Sequence, residues 1–201
     1  MCYMLRERMS LETIKKIRER TGAGIVEVKK ALDEADGNED KAIEIIRKRG
    51  QEKAGKKADR VAGEGVIASY VHSNGKVAAM VKLLCETDFV ARNEEFKNLA
   101  ICVAMHVTAM SPRCVRPEDV PAEAVEKERE IWTEQLKNEG KPEEMIAKIL
   151  EGKEKKFREE AALLTQSYVK NPDQTVGELL NEYIGKIGEN IQVGEFCRME
   201  L

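Results

Sequence analysis

Histidine is scarce in this sequence, and its scarcity argues against most kinds of metal or nucleophilic site. The 201 residues include two histidines, His72 and His106, so metal-ligand clusters and Cys–His pairs have few residues to draw on. The five cysteines are scattered and form no Cys-x-x-Cys pair, which is typical of idle thiols in a reducing compartment. We therefore expect no metal ion and no cofactor.

Long apolar runs and a secretory signal are also missing. No stretch of about 18 apolar residues occurs, and the N-terminus lacks an apolar segment followed by a small-residue cleavage site. Charged residues make up 35% of the chain and hydrophobic residues 42%, enough to form a core beneath a densely charged surface. This composition predicts a soluble, cytoplasmic protein.

Catalytic and nucleic-acid-binding motifs are absent as well. The glycine-rich stretch Thr21–Gly24 lacks the further glycine and the preceding strand of a nucleotide-binding loop, so it is predicted to be a turn between helices. The carboxylates lie in charge runs such as residues 126–130, which are typical of solvated helices. Residues 1–60 are net basic, but acids interrupt their lysines and arginines and no aromatic stacking surface accompanies them. We expect neither an enzyme nor a nucleic-acid-binding protein.

Apolar residues at helical spacing predict three short helices near the N-terminus. Ser10 and Asn38 can cap the first and third helices, and glycines are predicted to end all three: Gly22, Gly37 and Gly50. Helices this short are marginal alone, so they must pack together. The sequence predicts a three-helix bundle of the ubiquitin-associated type.

This bundle implies a division of the chain into four segments. Residues 1–9 are predicted to be a disordered leader, residues 10–52 the bundle, and residues 53–63 a solvated linker. Residues 64–201 are predicted to form an α+β core.

Alternating apolar residues from Gly65 onward predict a β-hairpin followed by helices. Asn74-Gly75 separates the two strands, and such a two-residue turn requires positive φ at both positions. Core helices are predicted after Asn93, between residues 122 and 167, and after Thr175, and a final strand in residues 190–201 returns to the hairpin. The predicted fold class is therefore α+β, with the N-terminal bundle followed by a small three-stranded antiparallel sheet and packed helices.

The segment between the hairpin and the next helix has two possible interpretations. Residues 86–92 place Thr87, Asp88, Phe89 and Val90 at a corner between a strand and a helix. Phe89 and Val90 could fold back onto the core. Alternatively, Phe89 could be an exposed aromatic side chain beside an acid, as in loops that bind a partner.

Several stretches resemble the bacterial elongation factor Ts family in the same order along the chain. Residues 21–32 resemble the first signature of that family and residues 87–92 the second, while residues 176–180 and 188–191 match its C-terminal portion. The resemblance extends from Ser10 to the last residue.

This resemblance implies nucleotide exchange on elongation factor Tu, without a catalytic site in the chain itself. The loop Thr87, Asp88, Phe89 and Val90 would enter the G domain near the magnesium and phosphate site. Arg18, Ile25 and Val26 would form a second contact. Short family members form homodimers, so the resemblance implies that residues 64–201 are also the dimerisation domain and that Cys197 lies near the dimer interface. The alternative is a protein-binding module of the ubiquitin-associated type that lacks exchange activity.

Overall fold

The computed structural model describes residues 11–201, so the predicted leader and the predicted cap at Ser10 lie outside the described residues. Within that range the protein is α+β, as predicted, with eight α-helices and five strands. No helix among these residues is long and apolar enough to cross a membrane.

The three predicted N-terminal helices are present as α1 (Leu11–Thr21), α2 (Ile25–Glu34) and α3 (Glu39–Gly55). Gly22 and Gly37 have φ of +64° and +79°, values that favour glycine at the ends of the first two helices. Asn38 caps α3, because its side-chain oxygen accepts a hydrogen bond from the Lys41 N–H at 3.0 Å. The three helices share one apolar core that includes Ile17, Val28 and Leu32.

The predicted end of α3 at Gly50 is wrong. Gly50 has no positive φ, and the helix continues to Gly55 through residues that favour helix, including the buried Ala54. A glycine ends a helix reliably only where the chain turns into the left-handed region, which it does not do at this position. The division into a bundle over residues 10–52 and a linker over residues 53–63 stays a prediction.

A three-stranded antiparallel sheet of β1 (Glu64–Val71), β2 (Val77–Cys85) and β5 (Gln192–Glu200) confirms the predicted sheet. β2 lies in the centre, and its alternate residues Val81, Leu83 and Cys85 are fully buried.

The chain forms two compact units. Among the described residues, the first contains residues 11–67 together with Lys82–Ala100 and Glu178–Val193. The second contains Ala68–Val81, Ile101–Gly177 and Gly194–Leu201.

The hairpin turn differs from the predicted two-residue type. A four-residue loop joins the strands, since the His72 N–H bonds to the Val77 carbonyl at 2.9 Å. Gly75 has φ of +66°, but Asn74 does not have a positive φ. The Asn74 side-chain oxygen instead accepts a hydrogen bond from the Lys76 N–H at 2.9 Å, a local bond that lets asparagine support a turn without left-handed backbone.

The second unit contains the helical pair α6 (Ala122–Asn138) and α7 (Glu143–Ala161). Leu136, Ile146 and Leu150 form a small apolar cluster between them. The long core helix α5 (Glu94–Met110) precedes the pair, and the Asn93 side chain accepts a hydrogen bond from the Glu95 N–H at its start.

A two-stranded sheet of β3 (Ser167–Tyr168) and β4 (Asn171–Thr175) was not predicted. Its strands are too short and too polar to show apolar alternation. The last helix, α8 (Val176–Ile187), begins directly after Thr175 and ends at Gly188, which has φ of +91°.

Candidate partner-binding site

Residues 87–92 form a short helical turn rather than an irregular loop. The one-turn helix α4 (Asp88–Ala91) follows β2, and Thr87 caps it with extended backbone angles. The Val90 N–H donates to the Thr87 hydroxyl oxygen at 3.4 Å, and the Ala91 N–H donates to the Thr87 carbonyl at 3.1 Å. The turn thus presents one side chain outward while Ala91 is buried beneath it.

Phe89 is that outward side chain, with 81% of its surface exposed. The structure therefore excludes the interpretation in which Phe89 packs into the core of its own chain. Val90 is half-buried. Asp88, also partly exposed, pairs with Arg92 at 2.9 Å one turn later. Such an exposed pair contributes little stability, so Asp88 can exchange Arg92 for another partner at small cost.

The carboxylate of Glu189 holds the base of α4. One oxygen accepts hydrogen bonds from the Glu86 N–H and the Thr87 N–H, both at 3.1 Å. The other oxygen accepts a hydrogen bond from the Thr87 hydroxyl at 2.6 Å. Hydrogen bonds to an ionised acceptor are stronger than neutral ones, so the backbone that leads into α4 is firmly held.

Glu86 makes the reciprocal contact. Its carboxylate accepts a hydrogen bond from the Asn190 N–H at 2.6 Å, and the Arg60 guanidinium lies 3.5 Å from the same oxygen. The buried side chain of Asn190 donates to the backbone carbonyls of Arg60 and Ala58, at 2.7 and 3.3 Å. The segments around residues 58–60, 86–87 and 189–190 are therefore joined by polar bonds.

No local sequence pattern assigns a role to Glu86, Glu189 or Asn190. Glu189 and Asn190 directly follow Gly188, the glycine that ends α8. Polar side chains at such positions often bond to nearby backbone, so this placement is a local signal of such bonds for these two residues. Their partners lie more than 100 residues earlier in the chain, and no local pattern reveals that contact.

Cys85 lies directly behind this segment and is fully buried. Its thiol donates to the Thr87 carbonyl at 3.2 Å. Burial, with the nearby Glu189 charge as the next cause, raises the pKa of the Cys85 thiol to about 11. The thiol therefore stays protonated at neutral pH and is a poor nucleophile.

The three residues of the predicted second contact lie on either side of the turn between α1 and α2. Arg18 lies in the last part of α1, while Ile25 and Val26 begin α2 and are 49% and 69% exposed. Both are β-branched apolar side chains on the surface of a small bundle. They form a second exposed group, separate in sequence from Phe89.

Helix α8 lies against this turn. A Cβ atom added to Gly22 would lie 3.2 Å from a carboxylate oxygen of Glu182, so a larger residue at position 22 would crowd α8. Burial raises the pKa of Glu182, and the positive charges of Lys186 and Arg47 oppose that shift. The same helix leads directly to Glu189, so α8 contacts the α1–α2 turn and is followed by the residue that holds α4.

Comparisons with known proteins identify the family of this chain. The family model for elongation factor Ts matches residues 7–201. The chain is 56% identical over 190 residues to elongation factor Ts of Thermosipho melanesiensis, covering 94% of this chain and 97% of that protein. It is 51% identical over 193 residues to the Fervidobacterium nodosum protein, with 96% and 98% covered. For Thermotoga maritima, the identity is 52% over 193 residues, with 96% of each chain covered. The chain belongs to the elongation factor Ts family.

Proposed function

We propose that Thr87, Asp88, Phe89 and Val90 enter the G domain of elongation factor Tu near its magnesium and phosphate site and so promote GDP release. As a member of its family, the chain is a translation elongation factor that acts as a nucleotide exchange factor for elongation factor Tu. The observation that carries the proposal is the exposure of Phe89 on a one-turn helix whose base is held by Glu189. The protein acts in the cytoplasm and needs no catalytic site or cofactor of its own.

An exchange factor works by differential affinity. It must bind the nucleotide-free partner more tightly than the GDP-bound partner, and linkage then weakens GDP binding by the same factor. A 10⁴-fold weakening requires about 5.5 kcal/mol, whereas burying one phenylalanine contributes roughly 1.5–3 kcal/mol. Phe89 therefore supplies part of the effect, and other contacts supply the rest.

Asp88 and the N-terminal group supply those other contacts. Asp88 competes for hydrogen bonds near the magnesium site once it exchanges Arg92 for groups of the partner. Arg18, Ile25 and Val26 form the second contact through the bundle of ubiquitin-associated type. The exposure of Ile25 and Val26 at the start of α2 supports this second contact.

The protein also forms a homodimer through the outer face of its sheet. In the second unit, each strand of the sheet has an exposed apolar residue: Val71 on β1, Met80 on β2 and Met199 on β5, of which Met199 is 74% exposed. An exposed apolar patch favours a protein contact over water. Cys197 lies on β5 two residues from Met199 and is exposed as well.

Phe89→Ala tests the proposed insertion. We expect about a tenfold or larger decrease in the rate at which the protein releases fluorescent GDP from elongation factor Tu, since the lost side chain carries roughly 1.5–3 kcal/mol. Stopped-flow fluorescence at saturating protein measures that rate. Val61→Ala removes another exposed apolar side chain and serves as the matched control, with an unchanged rate expected.

An unchanged rate for Phe89→Ala would contradict insertion of the aromatic ring. Wild-type protein that binds elongation factor Tu without accelerating GDP release would favour the alternative, a binding module without exchange activity.

A further inference from the structure

The one-turn helix α4 cannot hold its own geometry. Four helical residues make too few internal hydrogen bonds to persist alone, and the capping bond from the Val90 N–H to Thr87 is long at 3.4 Å. Phe89, being exposed, has little packing of its own that would fix the direction of the turn. Something outside α4 must therefore set how this turn leaves β2.

The side chain of Glu189 meets that requirement. Its two oxygens accept hydrogen bonds from the Glu86 N–H, the Thr87 N–H and the Thr87 hydroxyl, at 3.1, 3.1 and 2.6 Å. The two amides belong to the residues immediately before α4. Their orientation fixes the backbone direction at the start of the turn, and thereby the position of Phe89.

A reciprocal bond holds Glu189 in place. The Asn190 N–H donates to the Glu86 carboxylate at 2.6 Å, so each of the two short segments donates backbone N–H groups to a carboxylate of the other. Two neighbouring carboxylates repel each other, and the Arg60 guanidinium at 3.5 Å from Glu86 reduces that repulsion.

We propose that Glu189 is a positioning residue for nucleotide exchange, which acts by fixing α4 so that Phe89 is held ready before the partner arrives. This proposal rests on the proposed function of the Thr87–Val90 turn. A turn that is already ordered loses less conformational entropy on binding, so more of the contact energy of Phe89 is available to weaken GDP binding. Glu189 itself does not need to touch the partner.

Three substitutions at position 189 separate geometry from charge. Glu189→Gln keeps the length, and its amide oxygen can still accept both backbone N–H bonds while its amide group donates to the Thr87 hydroxyl. Glu189→Asp keeps the charge but is one methylene shorter, so it cannot reach the same amides. Glu189→Ala removes all three bonds.

We expect Glu189→Ala and Glu189→Asp to lower the maximal rate of GDP release from elongation factor Tu by about tenfold, as expected when several net hydrogen bonds are lost. Glu189→Gln should stay within about threefold of wild type. The protein concentration that gives half the maximal rate should change little, because the N-terminal contact is intact. Glu151→Ala, an exposed glutamate on α7, is the matched control and should behave as wild type.

The double variant Glu189→Ala/Phe89→Ala distinguishes positioning of Phe89 from a purely structural role of Glu189. If Glu189 acts by positioning Phe89, the double variant should be no slower than Phe89→Ala alone, because coupled residues are not additive. Hydrogen exchange of the peptide covering residues 86–92 should accelerate in Glu189→Ala and Glu189→Asp but not in Glu189→Gln.

Several outcomes would overturn this proposal. Glu189→Asp as fast as wild type would show that the charge and not the reach of residue 189 matters. Additive losses in the double variant, or unchanged hydrogen exchange in residues 86–92, would show that Glu189 does not act through α4. If Phe89→Ala alone leaves the rate unchanged, the proposed insertion fails and the positioning role fails with it. A slow Phe89→Ala together with a normal Glu189→Ala would overturn the positioning role only.

Discussion

At the residue scale, Phe89 and Phe96 lie seven positions apart and have opposite environments. Phe96 is fully buried, whereas Phe89 is 81% exposed. Phe96 belongs to a stripe along α5 that continues through Leu99 and Val103, and such a stripe can be recognised in the sequence. Phe89 belongs to no stripe, so sequence periodicity left two interpretations open. The structure shows the exposed alternative, in which the backbone before Phe89 donates hydrogen bonds to the carboxylate of the distant Glu189.

His106 is a second residue whose environment only the structure reveals. It is fully buried, with Nε2 3.1 Å from the Gln166 side-chain oxygen and Nδ1 3.2 Å from the Val169 nitrogen. Because the Val169 N–H must donate, Nδ1 accepts and the ring is neutral, with its proton on Nε2. Burial lowers the pKa of His106 below its usual 6.5, and the Gln166 bond opposes that shift.

We expect this histidine to make the stability of the protein depend on pH. In the unfolded chain His106 binds a proton near pH 6.5, whereas in the folded chain it does so only at lower pH. The stabilising contribution of neutral His106 is therefore complete above pH 6.5 and is lost as the pH falls below that value. Between about pH 7.5 and about pH 5.5, the free energy of unfolding should decline less in His106→Gln than in wild type. These two conditions lie about one pH unit above and below 6.5. Denaturant titrations at both pH values measure the decline.

The exposed His72 provides the control for that experiment. His72→Gln should keep the wild-type decline. A decline in His106→Gln as steep as in wild type would contradict the assignment.

At the element scale, the turn between α1 and α2 is determined mainly by local chemistry. Gly22 supplies the positive φ, and the Thr21 hydroxyl donates to the Ile17 carbonyl at 2.7 Å. Both residues lie within the stretch whose pattern predicted a turn. What the sequence could not show is that α8 packs against Gly22, so that the turn is supported from outside.

Ile25→Asp tests this turn as a binding element. Residue 25 is the first residue of α2, where a negative charge favours the helix dipole, so the fold should be retained. The charge should weaken complex formation with elongation factor Tu about tenfold or more, because a desolvated apolar contact would have to bury it. Titration calorimetry or a pull-down measures the affinity.

Leu11→Asp is a matched control, since Leu11 is also an exposed apolar residue that begins a helix. We expect wild-type affinity for that variant. Wild-type affinity of Ile25→Asp for elongation factor Tu would contradict a role for Ile25 in the contact.

Other elements show where local patterns fail. The sheet of β3 and β4 is short and polar, and it is supported by the bond from the Val169 N–H to His106 across 63 residues. At the hairpin, the Asn74 side chain replaced the predicted left-handed backbone with a local hydrogen bond. In both cases a side-chain hydrogen bond supports backbone geometry that apolar periodicity does not predict.

At the scale of the whole molecule, the proposed homodimer is directly testable. The chain has a mass of 22.7 kDa, and light scattering coupled to size-exclusion chromatography should give about twice that value for wild type. Met199→Lys should shift the protein toward monomer, because it places a charge on the exposed apolar face of β5.

Met145→Lys changes an exposed methionine on α7 and should leave the mass unchanged. A monomeric wild-type protein, or a Met199→Lys variant that remains dimeric, would contradict the proposed interface.

Apolar periodicity, caps and glycines predict the α+β class, most of the helices and the three-stranded sheet, because these signals act between residues a few positions apart. The sequence also carries the motifs by which the family is recognised. The exposure of Phe89, the hydrogen bonds of Glu189 and Glu86 at the base of α4, and the contact of α8 with Gly22 become visible only in the folded chain. These features depend on hydrogen bonds and contacts between residues about 100 or more positions apart, which no local pattern encodes.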